Sequence, residues 1–395
     1  MNASPQFDVS ERFRLDGVDA LRGLSVLLVV LHHIHLRFVL NKFDVDGWLP
    51  RIPNQVLFWS GYYAVITFFV ISGFLITRLS LGRWGTLGNV HIGRFYQMRI
   101  ARIIPCLLLV LAVLSVLHLA GATGFTIKPE RASLGRALWA ALTFHINWLE
   151  GRHGYLPGGW DVLWSLSVEE AFYLLFPLVC LFVRSERLLI LPLIVLIVKG
   201  PMNRTLLVDH DPWGSYAYLS CMDGIAFGCL GALACARQRF SDRTLRALLA
   251  IGATMAVVIV VFYNEEEHQG LSRFGLNITV LEAGIAMMLV ALGSGIGNRA
   301  LSAGTGWIRA IGRCSYEIYL FHMPVVLGLM ALFKWVHPAA PMIPVWYTGM
   351  LVLSMLVGGV IAKVFSEPLN RRLRAHDSQR HRESKPVPAV PLNPD

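Results

Sequence analysis

Charge is scarce in this chain. Asp, Glu, Lys and Arg make up 15% of its 395 residues, against roughly a quarter in an ordinary soluble domain. Hydrophobic residues make up 55%, and many apolar runs reach spanning length, so a soluble fold is excluded and an all-α polytopic membrane bundle is expected. Short segments of alternating polarity are missing, which argues against a transmembrane β-barrel. A signal-peptide pattern is missing too: Met1 to Arg14 is polar, and no small-residue cleavage site follows the first apolar run, so that run is kept as a helix. Cysteine pairing motifs are absent. Cys106, Cys180, Cys221, Cys229, Cys235 and Cys314 have no CxxC spacing and fall in or beside apolar segments, as small packed thiols do. No Walker or dinucleotide glycine loop follows a strand, and there is no G-x-S-x-G nucleophile elbow. The net charge is +10, yet the basic residues form short clusters between apolar runs, the positive-inside pattern and not a nucleic-acid surface.

What is present is about ten spanning helices, expected near 17–40, 55–78, 98–120, 163–183, 187–201, 215–236, 244–263, 274–293, 312–335 and 344–366. Arginine clusters at 12 and 14, 78 to 102, 184 and 187, 237 to 246, 299 to 313, and 371 to 374 all fall on one side if both termini are cytoplasmic. The opposite loops, Asp209-His-Asp211 and Asn264-Glu-Glu-Glu267, are acidic. Residues 133–149 are helical and moderately apolar. A full crossing there would send every later cluster to the wrong side, so a re-entrant or interfacial helix is expected. Helix five is short and holds Pro192, with Lys199-Gly-Pro201 at its end, and is expected to be broken. No long internal repeat stands out. The domain plan is a cytoplasmic segment over 1–14, a membrane domain over 15–368, and a cytoplasmic, polar, proline-rich and largely disordered tail over 369–395.

Four polar constellations interrupt the apolar runs. Arg22 and His33 lie eleven positions apart, about three helical turns, on nearly one face and roughly 16 Å from each other. With Arg22 at one interface of a core about 30 Å thick, His33 falls near the midplane, where an ionisable group is functional by default. Arg99 and Arg102 share a face at the start of helix three, either as interface anchors or as a cradle for ligand phosphates. In Trp164-Ser-Leu-Ser-Val-Glu-Glu-Ala-Phe-Tyr173, Ser165, Glu169 and Tyr173 stack on one face while Glu170 points about 100° away. Helix nine carries His322 and Pro324, either a kink with a core histidine or part of a site. His32, His33 and His35 do not complete a ligand set, because His33 faces away from the other two and no carboxylate or cysteine pattern joins them; no metal is expected.

On these residues the chain resembles the acyltransferase-3 family of integral-membrane O-acyltransferases. The matching pieces, in order, are Asp19-Ala-Leu-Arg-Gly23 with ten residues between Arg22 and His33, Phe69-Val-Ile-Ser-Gly-Phe-Leu-Ile76, Phe95-Tyr96 through Arg99, Arg102 and Pro105, Trp164-Ser-Leu-Ser-Val-Glu-Glu, and Ser315-Tyr-Glu-Ile-Tyr-Leu-Phe-His-Met-Pro324. Ala171 stands where glutamine is common in the family, and Phe321 where tryptophan is frequent. The resemblance implies a ten-helix bundle in the inner (plasma) membrane that takes an acyl group, usually acetyl, from cytoplasmic acyl-CoA. It passes the group to a hydroxyl of a carbohydrate, such as a surface polysaccharide, lipopolysaccharide or glycolipid. Some relatives carry a fused extracellular hydrolase-like domain; without one, this chain is expected to finish the reaction itself. In that reading Arg99 and Arg102, with Arg78, hold the phosphates of coenzyme A, whose arm threads past Arg22 to His33. His33, held neutral by burial, is the general base and Glu169 orients it or the sugar, with Glu170 in reserve. Asn147, Trp164, Tyr173 and His322 are supporting residues, and Trp148, Trp160 and Trp164 serve either to stack on a sugar or to anchor at the interface. The partners expected are acyl-CoA, a carbohydrate or glycolipid and the bilayer, with no nucleic acid. The rival reading is a transporter of glycolipid or oligosaccharide with no bond chemistry, since ten helices with midplane polar groups fit that as well.

Overall fold

A computed structural model describes residues 15–43, 45, 48–262, 271–296 and 304–374. The 1–14 segment with its arginines, the acidic 264–267 loop, Arg299 and the tail beyond 374 lie outside the described residues. Every regular element among the described residues is helical, and ten helical stretches are long and apolar enough to cross a membrane. They are built on α1 (Asp16–Leu40), α3 (Gly61–Trp84), α4 (Ile92–Leu119), α8 (Trp164–Val183), α9 (Glu186–Leu206), α11 (Tyr218–Arg237), α12 (Asp242–Phe262), α13 (Leu276–Gly293), α15 (Ser315–Val336) and α16 (Ile343–Ile361). Between them lie the short helices α2 (Arg51–Phe58), α5 (Leu134–Leu142), α6 (Ile146–His153), α7 (Gly158–Asp161), α10 (Trp213–Tyr216) and α14 (Gly306–Arg313).

The second span begins later than its hydropathy implies. Residues 51–58 form the separate helix α2, the chain breaks at Trp59-Ser60, and α3 then runs to Trp84. Arg78 and Arg83 therefore lie on helix, not in a loop, and so do Arg94, Arg99 and Arg102 on α4. The fifth span is not broken: α9 continues through both Pro192 and Pro201 to Leu206. Residues 133–149 do not cross. Ser133 caps α5, its Oγ accepting from Arg136 N at 3.2 Å, and Phe144 at φ 57° ends the run before α6. Nine and eight residues give about 14 and 12 Å of helix, too short to span. Arginines 78, 83, 99, 102, 237, 313 and 371 consequently gather at one end of the bundle, which also holds the start of α1 and the end of α16.

Helix packing relies on backbone proximity. A Cβ on Gly228 of α11 would lie 1.9 Å from the Val70 carbonyl oxygen of α3, and one on Gly73 would lie 1.9 Å from that of Ile225. Small residues are the usual means of bringing two membrane helices this close. Replacing Gly228 by valine is expected to push α3 and α11 apart at a cost of about 1–3 kcal/mol, read as a lower melting temperature of the detergent-solubilised protein. On the far side of α11 the buried Arg204–Asp223 pair (2.8 Å) joins α9 to α11, and Arg204 Nε also donates to Gly275 O at the foot of α13. Its remaining donors reach Ser220 O and Thr279 Oγ1, which satisfies a charge that would be costly left alone. The helical chain after Ile361 loosens into a π turn over Ala362–Ser366, bringing Ser366 Oγ onto Glu317 Oε1 at 2.5 Å.

Candidate active site

Helices α1 and α15 run side by side and are linked at two heights. At the arginine-rich end Arg22 Nη2 donates to Ser315 Oγ at 2.9 Å, with Asp19 3.7 Å from the same guanidinium. Further along, the His33 and His322 rings meet with centroids 5.0 Å apart and His33 Nδ1 3.3 Å from His322 Nε2. The hydrogen-bond pattern sets both tautomers. His33 Nδ1 lies 2.9 Å from Val29 O and His322 Nδ1 lies 2.6 Å from Tyr319 O, and a carbonyl only accepts. Each Nδ1 therefore carries the proton, and His322 Nε2 offers its lone pair to the His33 N–H. His33 Nε2 is left with a bare lone pair and no bond among the described residues, the configuration a general base requires.

His32 and His35 belong to a different group. His32 Nδ1 bonds Phe58 O at 2.8 Å, and His35 Nδ1 bonds the Tyr347 hydroxyl at 3.0 Å while stacking on Phe58 at 4.5 Å. They fasten α2 and α16 to α1; His32 touches His33 only edge-on, with centroids 5.3 Å apart, and neither hydrogen-bonds it.

A cavity of about 560 Å³ opens at the arginine-rich end. Among the described residues Arg22, Arg83, Arg99, Arg102, Arg313, Arg371 and Arg374 line it against two acids, Asp19 and Glu367, so it is strongly electropositive. Arg99 and Arg102, three positions apart on α4, both reach it, and neither has a carboxylate within 4.0 Å among the described residues. Arg99 is braced by stacking its guanidinium 3.6 Å over the Tyr173 ring. Arg78 is not part of this wall: its Nη1 donates to Gly293 O at 3.1 Å, on the α13 side of α3.

The α8 residues divide by face. Glu169 Oε1 accepts from Ser72 Oγ and from the Tyr173 hydroxyl, which also contact each other. Glu169 thus bonds α3 instead of His33, and His33 receives its orienting contact from His322. Glu170 is 6% exposed, and its Oε1 has no partner among the described residues. Ser165 turns from the Glu169 face to the Tyr319 hydroxyl, 2.7 Å away. Trp164 is buried and lies flat on Tyr216, with centroids 4.0 Å apart at 7°. Trp160 is fully buried and donates to Phe125 O at 2.9 Å. Both are packing residues in this structure, and of the three tryptophans only Trp148, 37% exposed, meets the surface. Asn147 is buried and holds Tyr216 O with its Nδ2 at 3.0 Å.

The chain matches the acyltransferase domain model (acyltransferase-3) over residues 15–363, which takes in all of these groups except the cavity residues Glu367, Arg371 and Arg374. It belongs to the acyltransferase-3 family. Among curated proteins, O-acetyltransferase OatA of Staphylococcus aureus (strain NCTC 8325 / PS 47) is 24% identical over 384 residues, covering 91% of this chain and 57% of its own length. Peptidoglycan O-acetyltransferase OatA of Listeria monocytogenes is 26% identical over 331 residues, covering 78% and 49%. The putative peptidoglycan O-acetyltransferase YrhL of Bacillus subtilis is 26% identical over 341 residues, covering 79% and 49%. The chain spans about half the length of these curated relatives. No solved structure matches it.

Three residues absent from the sequence reading lie beyond His33 in this acyltransferase-3 fold. Arg37 is one turn further along α1, and the i, i+4 criterion that relates side chains on one helix face would have found it. Glu150 and Asp161 sit on short helices with no periodic signal, and nothing in the sequence brings them together. Glu150 is fully buried, and burial together with the neighbouring Asp161 carboxylate pushes its carboxyl well above the usual range.

Proposed function

We propose that this protein is a membrane O-acyltransferase that moves an acyl group, acetyl by the names of its relatives, from acyl-CoA to a carbohydrate hydroxyl. The arginine-rich end faces the cytoplasm, as the positive-inside rule requires, and the protein resides in the plasma membrane. One observation carries the reading: His33 presents an unprotonated Nε2 well inside a helix long and apolar enough to cross a membrane, the same helix that carries Arg22 into an electropositive cavity. Arg99 and Arg102 hold the phosphates of coenzyme A, guanidinium forks being suited to phosphate oxygens. Arg78, bonded on the other side of α3, has no part in that cradle.

In the reaction His33 Nε2 takes the proton of the acceptor hydroxyl as its oxygen attacks the thioester carbonyl carbon. The new C–O ester bond forms, the C–S bond breaks, and the proton on His33 passes to the departing thiolate. His322 Nε2 steadies the His33 Nδ1–H while the ring is cationic. Glu169, tied to Ser72 and Tyr173, fixes the α3–α8 wall of the shaft. The acceptor is a surface carbohydrate; peptidoglycan is what the Listeria relative's name records.

The test is mass spectrometry of surface glycans from cells with and without the protein, together with release of free thiol from acetyl-CoA by the purified chain. An acetyl-bearing glycan and thiol release, both dependent on the protein, support the assignment. A transported but unmodified glycan with no thiol release rejects it in favour of the transporter reading.

A further inference from the structure

We infer that Arg37, Glu150 and Asp161 form the acceptor subsite, taking two adjacent hydroxyls of a neutral sugar on the side of His33 away from the arginine-rich cavity. This inference rests on the acyl-transfer reading for its purpose, but its geometry stands independently. Arg37 follows His33 by four residues on α1 and shares its face. Its guanidinium lies against α7, where a Cβ on Gly158 would be 2.9 Å from both Nη1 and Nη2, so glycine leaves the space it occupies. The Arg37 Nε is buried and has no partner among the described residues.

Three residues beyond Gly158, Asp161 ends α7 and its Oδ1 accepts from the Tyr216 hydroxyl at 3.3 Å. Arg37 and Asp161 stop short of an ion pair, with no N···O distance within 4.0 Å, so neither satisfies the other directly. Glu150 closes the far side. Its Oε1 accepts from Leu156 N at 3.0 Å, while its other oxygen is buried against Asp161, with which it shares a carboxyl–carboxylate contact. Tyr319 forms the bridge to the catalytic pair: its hydroxyl donates to Val162 O at 2.9 Å, next to Asp161, and its ring lies 5.8 Å from that of His322.

The charges select the ligand. Asp161 and Arg37 cancel, and burial and the adjacent Asp161 carboxylate oppose ionisation of Glu150. A neutral polyol suits the pair, one hydroxyl donating to Asp161 and the next oxygen accepting from Arg37, with Glu150 backing Asp161. An acidic sugar would bring a carboxylate against two carboxyl groups.

The probes are chitotriose as a neutral saccharide and trigalacturonate as an acidic one, titrated into the full chain in lipid nanodiscs, with acetyl-CoA titrated in parallel. Wild type is expected to bind chitotriose, and Asp161→Asn or Arg37→Gln to weaken that binding by about tenfold or more, the loss of one charge-assisted hydrogen bond. Acetyl-CoA binding by the same variants reports that they are folded, and Arg37→Lys, which keeps the charge, should fall between wild type and Arg37→Gln. Chitotriose binding that is absent in wild type or equal in wild type and variants overturns the subsite, as does binding of trigalacturonate as tight as that of chitotriose. Failure of wild type to bind acetyl-CoA while it binds chitotriose counts against the acyl-transfer reading and leaves the subsite standing.

Discussion

Replacing His33 by alanine is expected to lower acyl transfer by about 10²- to 10⁴-fold, the range a positioned general base contributes. The magnitude follows from the absence of a substitute. His322 is the nearest basic ring, but its Nε2 is turned to His33 Nδ1, and its Nδ1 is committed to Tyr319 O. His32 and His35 face α2 and α16. The variant should remain folded, because among the described residues His33 makes one backbone bond, one long contact to His322 and an edge contact with His32, and donor binding should persist. The decisive measurement is product formation with thiol release followed in the same sample. Transfer within a few-fold of wild type would remove His33 from the mechanism.

The next largest effect is expected for the double variant Arg99→Gln, Arg102→Gln. A hydrogen bond to a charged group contributes about 1.5–3 kcal/mol, roughly 10- to 150-fold in affinity each. Arg102 is exposed and screened by salt, so the lower end applies, and donor affinity should fall roughly 100-fold in total. Acceptor affinity should change little, because the Arg37, Glu150 and Asp161 group lies beyond His33. The loss should shrink as ionic strength rises. Titration of acetyl-CoA at two salt concentrations checks both points, and unchanged affinity at low salt would remove the phosphate cradle.

The number of crossings was legible because spanning length and low charge are properties of contiguous sequence. Element ends were less so: hydropathy is smooth across Phe58 to Gly61, whereas the backbone breaks there, and the apolar run that seemed to start at 55 belongs to two helices. Pro192 and Pro201 point to a broken fifth span, yet α9 passes through both. Within the site, relations along one helix could be read and relations between helices could not. Arg22 with His33, Arg99 with Arg102, and Glu169 with Tyr173 all follow from helical spacing. That His322 is the residue against His33, 289 positions away, follows only from the way α15 lies on α1. The same limit hid the meeting of Arg37 with α7, and it made Trp160 and Trp164 look like surface rings when both are enclosed by neighbours.

The paired contacts of α1 with α15 bear on how a substrate gets in. Two rods pinned at separate levels, by Arg22 on Ser315 and by His33 on His322, resist both sliding and splaying, so they act as a single plank. A donor then has to fit between that plank and α4, which Tyr316 ties to α15 through Ile103 O at 3.0 Å and which meets α8 where Arg99 stacks on Tyr173. The entry for the donor is thus shaped in advance, and the proton-accepting ring stays where it stands while the arginine side chains adjust to the ligand.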